Sequence, residues 1–194
     1  RFLLLHRRRL WNRQEGVWMG WERKRGKLAE LNRLLRGATD TSFVPDTPPI
    51  RQDIRYVITL DADTRLLRDT VRRMVGKMAH PLNQAQFCPQ QQRIIAGYGI
   101  LQPRVTPALA LAEQGSRYLR LSSGPAGIDP YAGAVSDLYQ DLFAEGSFTG
   151  KGIYDVEAFH AALNTRVPDN TMLSHDLFEG IYARAGLASD IEVV

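Results

Sequence analysis

The sequence predicts an α/β protein with a largely parallel sheet. Apolar runs of strand length at residues 55–60, 97–105 and 189–194 alternate with segments whose apolar residues recur at helical spacing. The 194 residues are 44% hydrophobic and 24% charged, which provides enough apolar material for one packed domain and excludes a disordered chain. No apolar run approaches the roughly 18 residues needed to cross a bilayer. No internal repeat or second domain is visible.

Charge is distributed unevenly along the chain. The net charge is +4, but residues 1–37 carry +8 and the remaining residues carry −4. A basic segment of this kind can bind nucleic acid, anionic lipid or a phosphorylated small molecule, and composition does not choose among them. The single cysteine, Cys88, excludes an internal disulfide framework and suits a reducing compartment.

The first third of the chain is predicted to contain a strand, a helix and a loop. The apolar run at 2–5 predicts a buried strand. Four leucines at helical spacing within residues 21–36 predict an amphipathic helix that ends at Gly37. The Pro- and Asp-rich residues 39–53 predict a surface loop.

The middle of the chain places two carboxylates at the end of a strand. The strand at 55–60 runs directly into Asp61-Ala62-Asp63, and residues 65–80 have a helical apolar pattern. A Gln-rich loop separates this helix from the strand at 97–105. A helix over 107–121 and an irregular binding loop over 122–133 follow.

The last third combines a Gly-rich turn with two helices. Residues 146–152 predict the turn, a helix begins near Val156, and a final helix over 174–185 leads into the strand at 189–194.

Asp61 and Asp63 are the strongest candidates for a binding site. Ligands of open α/β sheets bind outside the carboxyl ends of the strands, and two carboxylates one residue apart can hold Mg²⁺ or Mn²⁺ together with a diphosphate. The alternative is a turn at the strand end in which Asp63-Thr64 caps the next helix.

Three further segments have both a functional and a structural interpretation. A carboxylate of Ser174-His175-Asp176 can act as a general base, or Ser174 or Asp176 can simply cap the helix. Gly150-Lys151-Gly152 allows close approach of a ligand, but taken alone it is a turn. Gly26-Lys27 before a helix can bind phosphate, or Lys27 is an ordinary solvated cation.

Taken in order, these segments resemble the nucleotide-sugar glycosyltransferases with the GT-A fold, a Rossmann-like and mostly parallel sheet flanked by helices. The resemblance implies a diphosphate segment Gly-Lys-x-x-x-x-Asn at 26–32, a metal-binding Asp-x-Asp at 61–63 and the following strand at 101–104. It also implies an acceptor-side Gly-rich turn at 150–154. Ser174-His175-Asp176 stands where processive members usually have Thr-Glu-Asp.

Three longer stretches of sequence make the resemblance more specific: residues 18–37, 127–159 and 173–187. They resemble the transferase domain of cyclic β-1,2-glucan synthases, and the resemblance covers essentially the whole chain. That family implies UDP-glucose as donor, a growing β-1,2-glucan as acceptor, no nucleic acid partner, and a large bacterial inner-membrane protein whose catalytic domain faces the cytoplasm. It also implies that a uracil-binding strand precedes Arg1 and an Arg-Trp-containing segment follows Val194, so residues 1–194 are expected to be the central part of one domain.

The resemblance assigns expected roles to individual residues. Asp176 is the expected general base, since position 175 is His where most processive relatives have Glu. Asp61 and Asp63 are the expected ligands of Mg²⁺ or Mn²⁺. Donor contacts are expected from Lys27, Asn32, Asp61, Asp63 and Gln102, and acceptor contacts from Asp141, Glu145, Gly150 and Lys151.

Two rival interpretations belong to other functional classes. One is a non-catalytic glycan- or nucleotide-binding module with the same fold, against which the presence of Asp61, Asp63 and Asp176 argues. The other is a nucleic-acid or anionic-membrane surface on residues 1–37, where three tryptophans are interspersed with basic residues.

Overall fold

The computed structural model describes residues 2–44, 50–106, 138–164, 166–172 and 175–194. The chain forms two compact units, the first from Arg1–Arg55 with Leu163–His175 and the second from Tyr56–Ala162 with Asp176–Val194. The helix predicted at 107–121 and the loop predicted at 122–133 lie outside the described residues. Within the described part of the chain, no helix is both long and apolar enough to span a membrane.

The first unit contains a hairpin and the predicted amphipathic helix. Strands β1 (Leu10–Asn12) and β2 (Val17–Met19) pair antiparallel, and helix α1 (Arg23–Leu34) follows. Gly37 ends the helix as predicted, since it adopts a φ of +86° and its amide donates to the Leu34 carbonyl at 3.0 Å.

A buried glutamate holds three segments of the first unit together. Glu30 of α1 forms a salt bridge of 2.7 Å with the Arg7 guanidinium and accepts a hydrogen bond of 2.7 Å from the Ser42 amide. The exposed fraction of the Arg7 side chain is 9% and that of Glu30 is 7%. Because both charges are paired and hydrogen-bonded, their burial is compensated.

The strand predicted at residues 2–5 is wrong. The structure assigns no strand to these residues, and Phe2 and Leu4 are exposed. The apolar run identified residues that favour burial, but a strand also requires a partner, and none of the described residues provides one here.

The second unit is built on a four-stranded mixed sheet with strand order β3-β7-β6-β8. Its elements, in chain order, are β3 (Tyr56–Thr59), α2 (Thr70–Met78), β4 (Gln86–Cys88), β5 (Arg93–Ala96), β6 (Ile100–Val105), α3 (Leu138–Phe143), β7 (Gly152–Asp155), α4 (Val156–Leu163), α5 (Asp176–Tyr182) and β8 (Ala185–Val193). The unit combines α-helices with a β-sheet, so the predicted α/β class is confirmed.

The predicted mostly parallel arrangement of the sheet is wrong. Strand β7 pairs antiparallel with both β3 and β6, and among the described strands of this sheet only β6 and β8 pair parallel. The Gly-rich pattern of residues 150–154 predicts a turn, but residues 152–155 form the strand that separates β3 from β6. A further short hairpin, β4 with β5, occupies the region predicted as a Gln-rich loop.

Helix α2 covers one face of this sheet. Met74 and Met78 are buried against Leu101 of β6, Ile153 of β7 and Ile191 of β8. The helix begins at Thr70, five residues later than the apolar pattern predicted, and Asp69 before it has a positive φ of 63°.

Gly152 allows β7 to lie close to β6. A Cβ atom at this position would lie 2.5 Å from the Leu101 carbonyl oxygen and 3.2 Å from the Gln102 Cα. Both atoms belong to the backbone and cannot turn away as a side chain can, so only glycine fits without a shift of the strands.

Alanine substitutions at two glycines should therefore change stability in opposite directions. Gly152→Ala should lower the free energy of unfolding by about 1 to 3 kcal/mol through overpacking. Gly76→Ala in α2, where an added Cβ meets nothing within 4 Å, should raise it by about 0.5 to 1 kcal/mol. Urea denaturation of both variants tests this, and equal effects at the two positions would contradict it.

Candidate functional site

The directions of the strands define one edge of the sheet in the second unit. Because β7 is antiparallel to β3, its amino end meets the carboxyl end of β3. The register pairs Thr59 with Gly152, which brings the residues after β3 to the residues before β7. Asp61 and Lys151, both predicted as site residues, lie in these two segments.

Asp61 and Lys151 form an ion pair at this edge. The Lys151 ammonium lies 2.7 Å from an Oδ atom of Asp61, and the side chains are 22% and 39% exposed respectively. The Asp-x-Asp segment and the Gly-rich turn, 90 residues apart in sequence, are thus in direct contact. The Asp61 carboxylate thus already pairs with one positive charge, that of the Lys151 ammonium. A bound metal ion would bring positive charge to the same carboxylate.

Asp63 lies in an exposed turn after β3. The Thr64 amide donates to the Asp61 carbonyl at 3.1 Å, which closes the turn. Since α2 begins only at Thr70, the alternative in which Asp63-Thr64 caps the next helix is wrong. Two carboxylates one residue apart on an accessible turn are a suitable donor set for Mg²⁺ or Mn²⁺, which prefer oxygen ligands.

The Gln102 side chain holds the Gly-rich turn in place through hydrogen bonds. Its side chain is fully buried, and its Oε1 accepts hydrogen bonds from the Thr149 amide at 2.6 Å and the Thr149 hydroxyl at 3.1 Å. Its Nε2 has no hydrogen-bond partner among the described residues. Gly150, the next residue of the turn, has a φ of +82°, a conformation that favours glycine. The donor contact predicted for Gln102 stays a prediction.

Asp176 is the first residue of α5 and is half-buried. One turn later, Gly180 packs against Phe148, the neighbour of Thr149 in the Gly-rich turn. After the helix ends, the Gly99 amide donates to the Ala183 carbonyl at 2.8 Å, just before β6 begins. The carboxyl half of the helix therefore lies near both the Gly-rich turn and the amino end of β6, and the convergence of Asp176 on Asp61 and Asp63 stays a prediction.

The two acidic residues predicted for the acceptor have different surroundings. Asp141 lies on α3 and is exposed. Glu145 is half-buried and lies 2.7 Å from an Nη atom of Arg93 and 3.5 Å from Nε of Arg184. Glu145 thus joins the β4/β5 hairpin to the start of β8, a structural role that exists whether or not it also contacts a glucan.

The two predicted donor residues on α1 belong to the first unit. Lys27 is exposed, and Asn32 is buried. A Cβ at Gly26 would lie 2.0 Å from the Trp21 carbonyl oxygen. Close packing against this carbonyl therefore explains the glycine of the Gly-Lys pair. A cavity of about 280 Å³ opens at the start of the helix, with Arg23, Lys24 and Arg25 in its lining but not Lys27.

Three residues of this region were not predicted from the sequence. Thr149 lies within the Gly-rich turn and could have been found from its place beside Gly150. Arg93 and Arg184, the partners of Glu145, have no local signal, since ion pairing between distant segments depends on the topology.

Comparison with known proteins relates the chain to enzymes of glucan synthesis. No family model matches it. Over all 194 residues the chain is 57% identical to part of the cyclic beta-(1,2)-glucan synthase NdvB of Rhizobium meliloti (strain 1021). The predicted resemblance to the cyclic β-1,2-glucan synthases is thereby confirmed. The chain spans 7% of the length of that relative.

The carboxylate of Glu22, the residue that precedes α1, is held by groups that favour its ionised form. Glu22 accepts a hydrogen bond of 2.7 Å from the Asn170 amide and lies 2.6 Å from an Nη atom of Arg25. Burial raises the pKa of Glu22, but the hydrogen bonds from Arg25 and Asn170 and the positive charges of Arg25 and Arg23 outweigh it, so the pKa lies below its ordinary value of 4.5.

Glu22→Gln should therefore destabilise the protein only where Glu22 is ionised. A depressed carboxyl pKa stabilises the fold above the unfolded pKa, and this contribution disappears as the pH falls through the folded pKa. At pH 7 the variant should lose about 1 to 3 kcal/mol, and wild type and variant should converge well below pH 4.5.

Thermal unfolding at several pH values measures this difference. Glu15→Gln is the matched control, because Glu15 pairs with Arg23 at the surface and should change stability by less than about 1 kcal/mol. A Glu22→Gln deficit that is the same at pH 3 and pH 7 would contradict the assignment.

Proposed function

We propose that the chain is the central part of a glucosyltransferase that transfers glucose from UDP-glucose to a growing β-1,2-glucan. The relationship to a cyclic beta-(1,2)-glucan synthase supports the class of product. The observation that carries the proposal further is the contact between Asp61 and Lys151, because it brings together the segments predicted for the donor and for the acceptor.

A β-linked product from an α-linked donor requires inversion at the anomeric carbon. One acceptor hydroxyl attacks in line as UDP departs, and a base must take the proton of that hydroxyl. We assign this role to Asp176. The glucosyl C–O bond to UDP breaks, the new glycosidic bond forms, and the proton resides on the Asp176 carboxyl until solvent removes it.

Asp63 and Asp61 are the residues that would hold Mg²⁺ or Mn²⁺. A bound divalent ion would supply compensation for the negative charge on the departing diphosphate. Lys27 and Asn32, both on α1 of the first unit, stay predictions of donor contact from the resemblance.

The acceptor side would be formed by the Gly-rich turn and its neighbours. Gly150 and Lys151 lie in the turn that Gln102 fixes through Thr149, so a displacement of Gln102 would move both. Asp141, exposed on α3, and Glu145 would supply hydrogen-bond acceptors to glucan hydroxyls. The enzyme as a whole would lie at the cytoplasmic face of a bacterial inner membrane.

Replacement of the proposed base should reduce turnover much more than donor binding. Asp176→Asn in the complete enzyme should lower kcat by about 10²- to 10⁴-fold, the usual effect of losing a general base, with little change in UDP affinity. Asp53→Asn, at an exposed aspartate, is the control and should leave kcat unchanged. Turnover of Asp176→Asn within about threefold of wild type would remove Asp176 from the mechanism.

Removal of the competing ammonium should strengthen metal binding. Lys151→Ala removes the surface ion pair with Asp61, which contributes at most about 1 kcal/mol. Because the Asp61 carboxylate no longer pairs with the ammonium, its affinity for Mn²⁺ should rise by up to about fivefold. Electron paramagnetic resonance of free Mn²⁺ measures the affinity directly. Lys77→Ala, which removes a lysine paired with Asp190, should leave it unchanged. Weaker Mn²⁺ binding by Lys151→Ala would contradict the assignment of Asp61 as a ligand.

A further inference from the structure

The β1/β2 hairpin of the first unit has two different faces. Residues directly opposite each other on antiparallel strands point to the same side, so Trp11 and Trp18 share one face. On the other face, the Asn12 side chain hydrogen-bonds to Asn170 and lies 3.4 Å from the Met19 sulfur. The hairpin is thus fastened to its own unit by one face, and the tryptophans lie on the opposite one.

The tryptophan face is exposed. Trp11 is 53% exposed and Trp18 is 64% exposed, and their rings meet edge to face with centroids 5.7 Å apart. Leu10 and Val17 alternate with the tryptophans and therefore lie on the other face of the hairpin, where each is 46% exposed. A cross-strand aromatic pair stabilises a hairpin, but that role does not require both rings to remain more than half exposed to solvent.

Positive charge flanks this apolar surface. Arg9 precedes β1 and Arg13 follows it, both are exposed, and neither forms an ion pair among the described residues. The surrounding residues 1–37 carry a net charge of +8. Tryptophan beside arginine is the composition that suits the headgroup region of a bilayer, where the ring is amphipathic and the cation meets lipid phosphate.

Charge complementarity and ring geometry select this occupant over two others. A neutral glucan gains no charge complementarity from the unpaired arginines. The edge-to-face rings do not present the parallel faces on which successive nucleic acid bases stack, whereas amphipathic tryptophan rings beside arginine suit the headgroup region of a bilayer.

We propose that the hairpin from Leu10 to Met19 is a membrane-interface anchor. It places Trp11 and Trp18 in the headgroup region of a bilayer that contains anionic lipid, while Arg9 and Arg13 contact the lipid phosphates. This interaction is separate from the proposed transferase site, so either can fail without the other.

Vesicle flotation tests the proposal with the 194-residue chain. The probes are vesicles of phosphatidylcholine with phosphatidylglycerol in equal parts and vesicles of phosphatidylcholine alone. The chain should bind the anionic vesicles, and more weakly as salt rises. Arg9→Gln/Arg13→Gln should reduce binding by about 30-fold, at the usual contribution of each cation near an anionic surface. Arg68→Gln/Arg72→Gln removes the same charge from exposed residues of the second unit and should reduce it by less than about threefold.

A second variant tests the tryptophans. Trp11→Ala/Trp18→Ala should lose binding and the blue shift of tryptophan emission that vesicles cause in the wild type, with Trp21 as the remaining fluorophore. If this variant does not fold, the arginine pair decides the question, since both arginines are exposed.

Several results would overturn the proposal. They are failure of the wild type to bind anionic vesicles, equal losses in the two arginine pairs, and unchanged binding by a folded Trp11→Ala/Trp18→Ala variant. Tryptophan-dependent binding of single-stranded RNA or a β-glucan oligosaccharide without binding to vesicles would assign the hairpin to that ligand instead.

Discussion

The antiparallel position of β7 between β3 and β6 is the constraint on which the candidate site depends. Strand β7 runs against β3 and begins where β3 ends, so the turn before β7 must lie beside the residues that follow β3. The close approach of Gly152 to the Leu101 carbonyl permits this pairing. Without it, Lys151 would have no reason to lie 2.7 Å from Asp61.

Local patterns predicted the elements that have a strong periodicity of their own. The leucine spacing located α1, and the apolar runs located β3 and β6. They failed for β7, a four-residue strand that begins with glycine, and for the β4/β5 hairpin, which is too polar to be recognised as sheet. They also failed at residues 2–5, where apolar character was present but a strand partner was not.

The position of Asp61 and Asp63 in the fold was predictable from the sequence, but their contacts were not. The end of an apolar strand was a sufficient reason to expect Asp61 and Asp63 at the edge of a sheet. The ion pair with Lys151 was not predictable, because two segments 90 residues apart meet only through the strand order. The pairing of Glu145 with Arg93 and Arg184 was hidden for the same reason.

Several residues of the resemblance also have ordinary structural reasons to be present. Gly26 lies against the Trp21 carbonyl, Asn32 is buried within its unit, and Gln102 holds Thr149. Such residues would be expected in a non-catalytic relative with the same fold as well. Asp63 is different, because it is exposed and caps no helix among the described residues.

Amide chemical shifts of the chain on titration with UDP and Mg²⁺ test the central claim most directly. If the Asp-x-Asp segment of the donor side and the Gly-rich turn of the acceptor side adjoin in one site, amides in both 60–64 and 149–152 should shift together, and neither should shift in Asp63→Ala. Binding of UDP that shifts amides outside both segments, or that is unchanged by Asp63→Ala, would contradict the account.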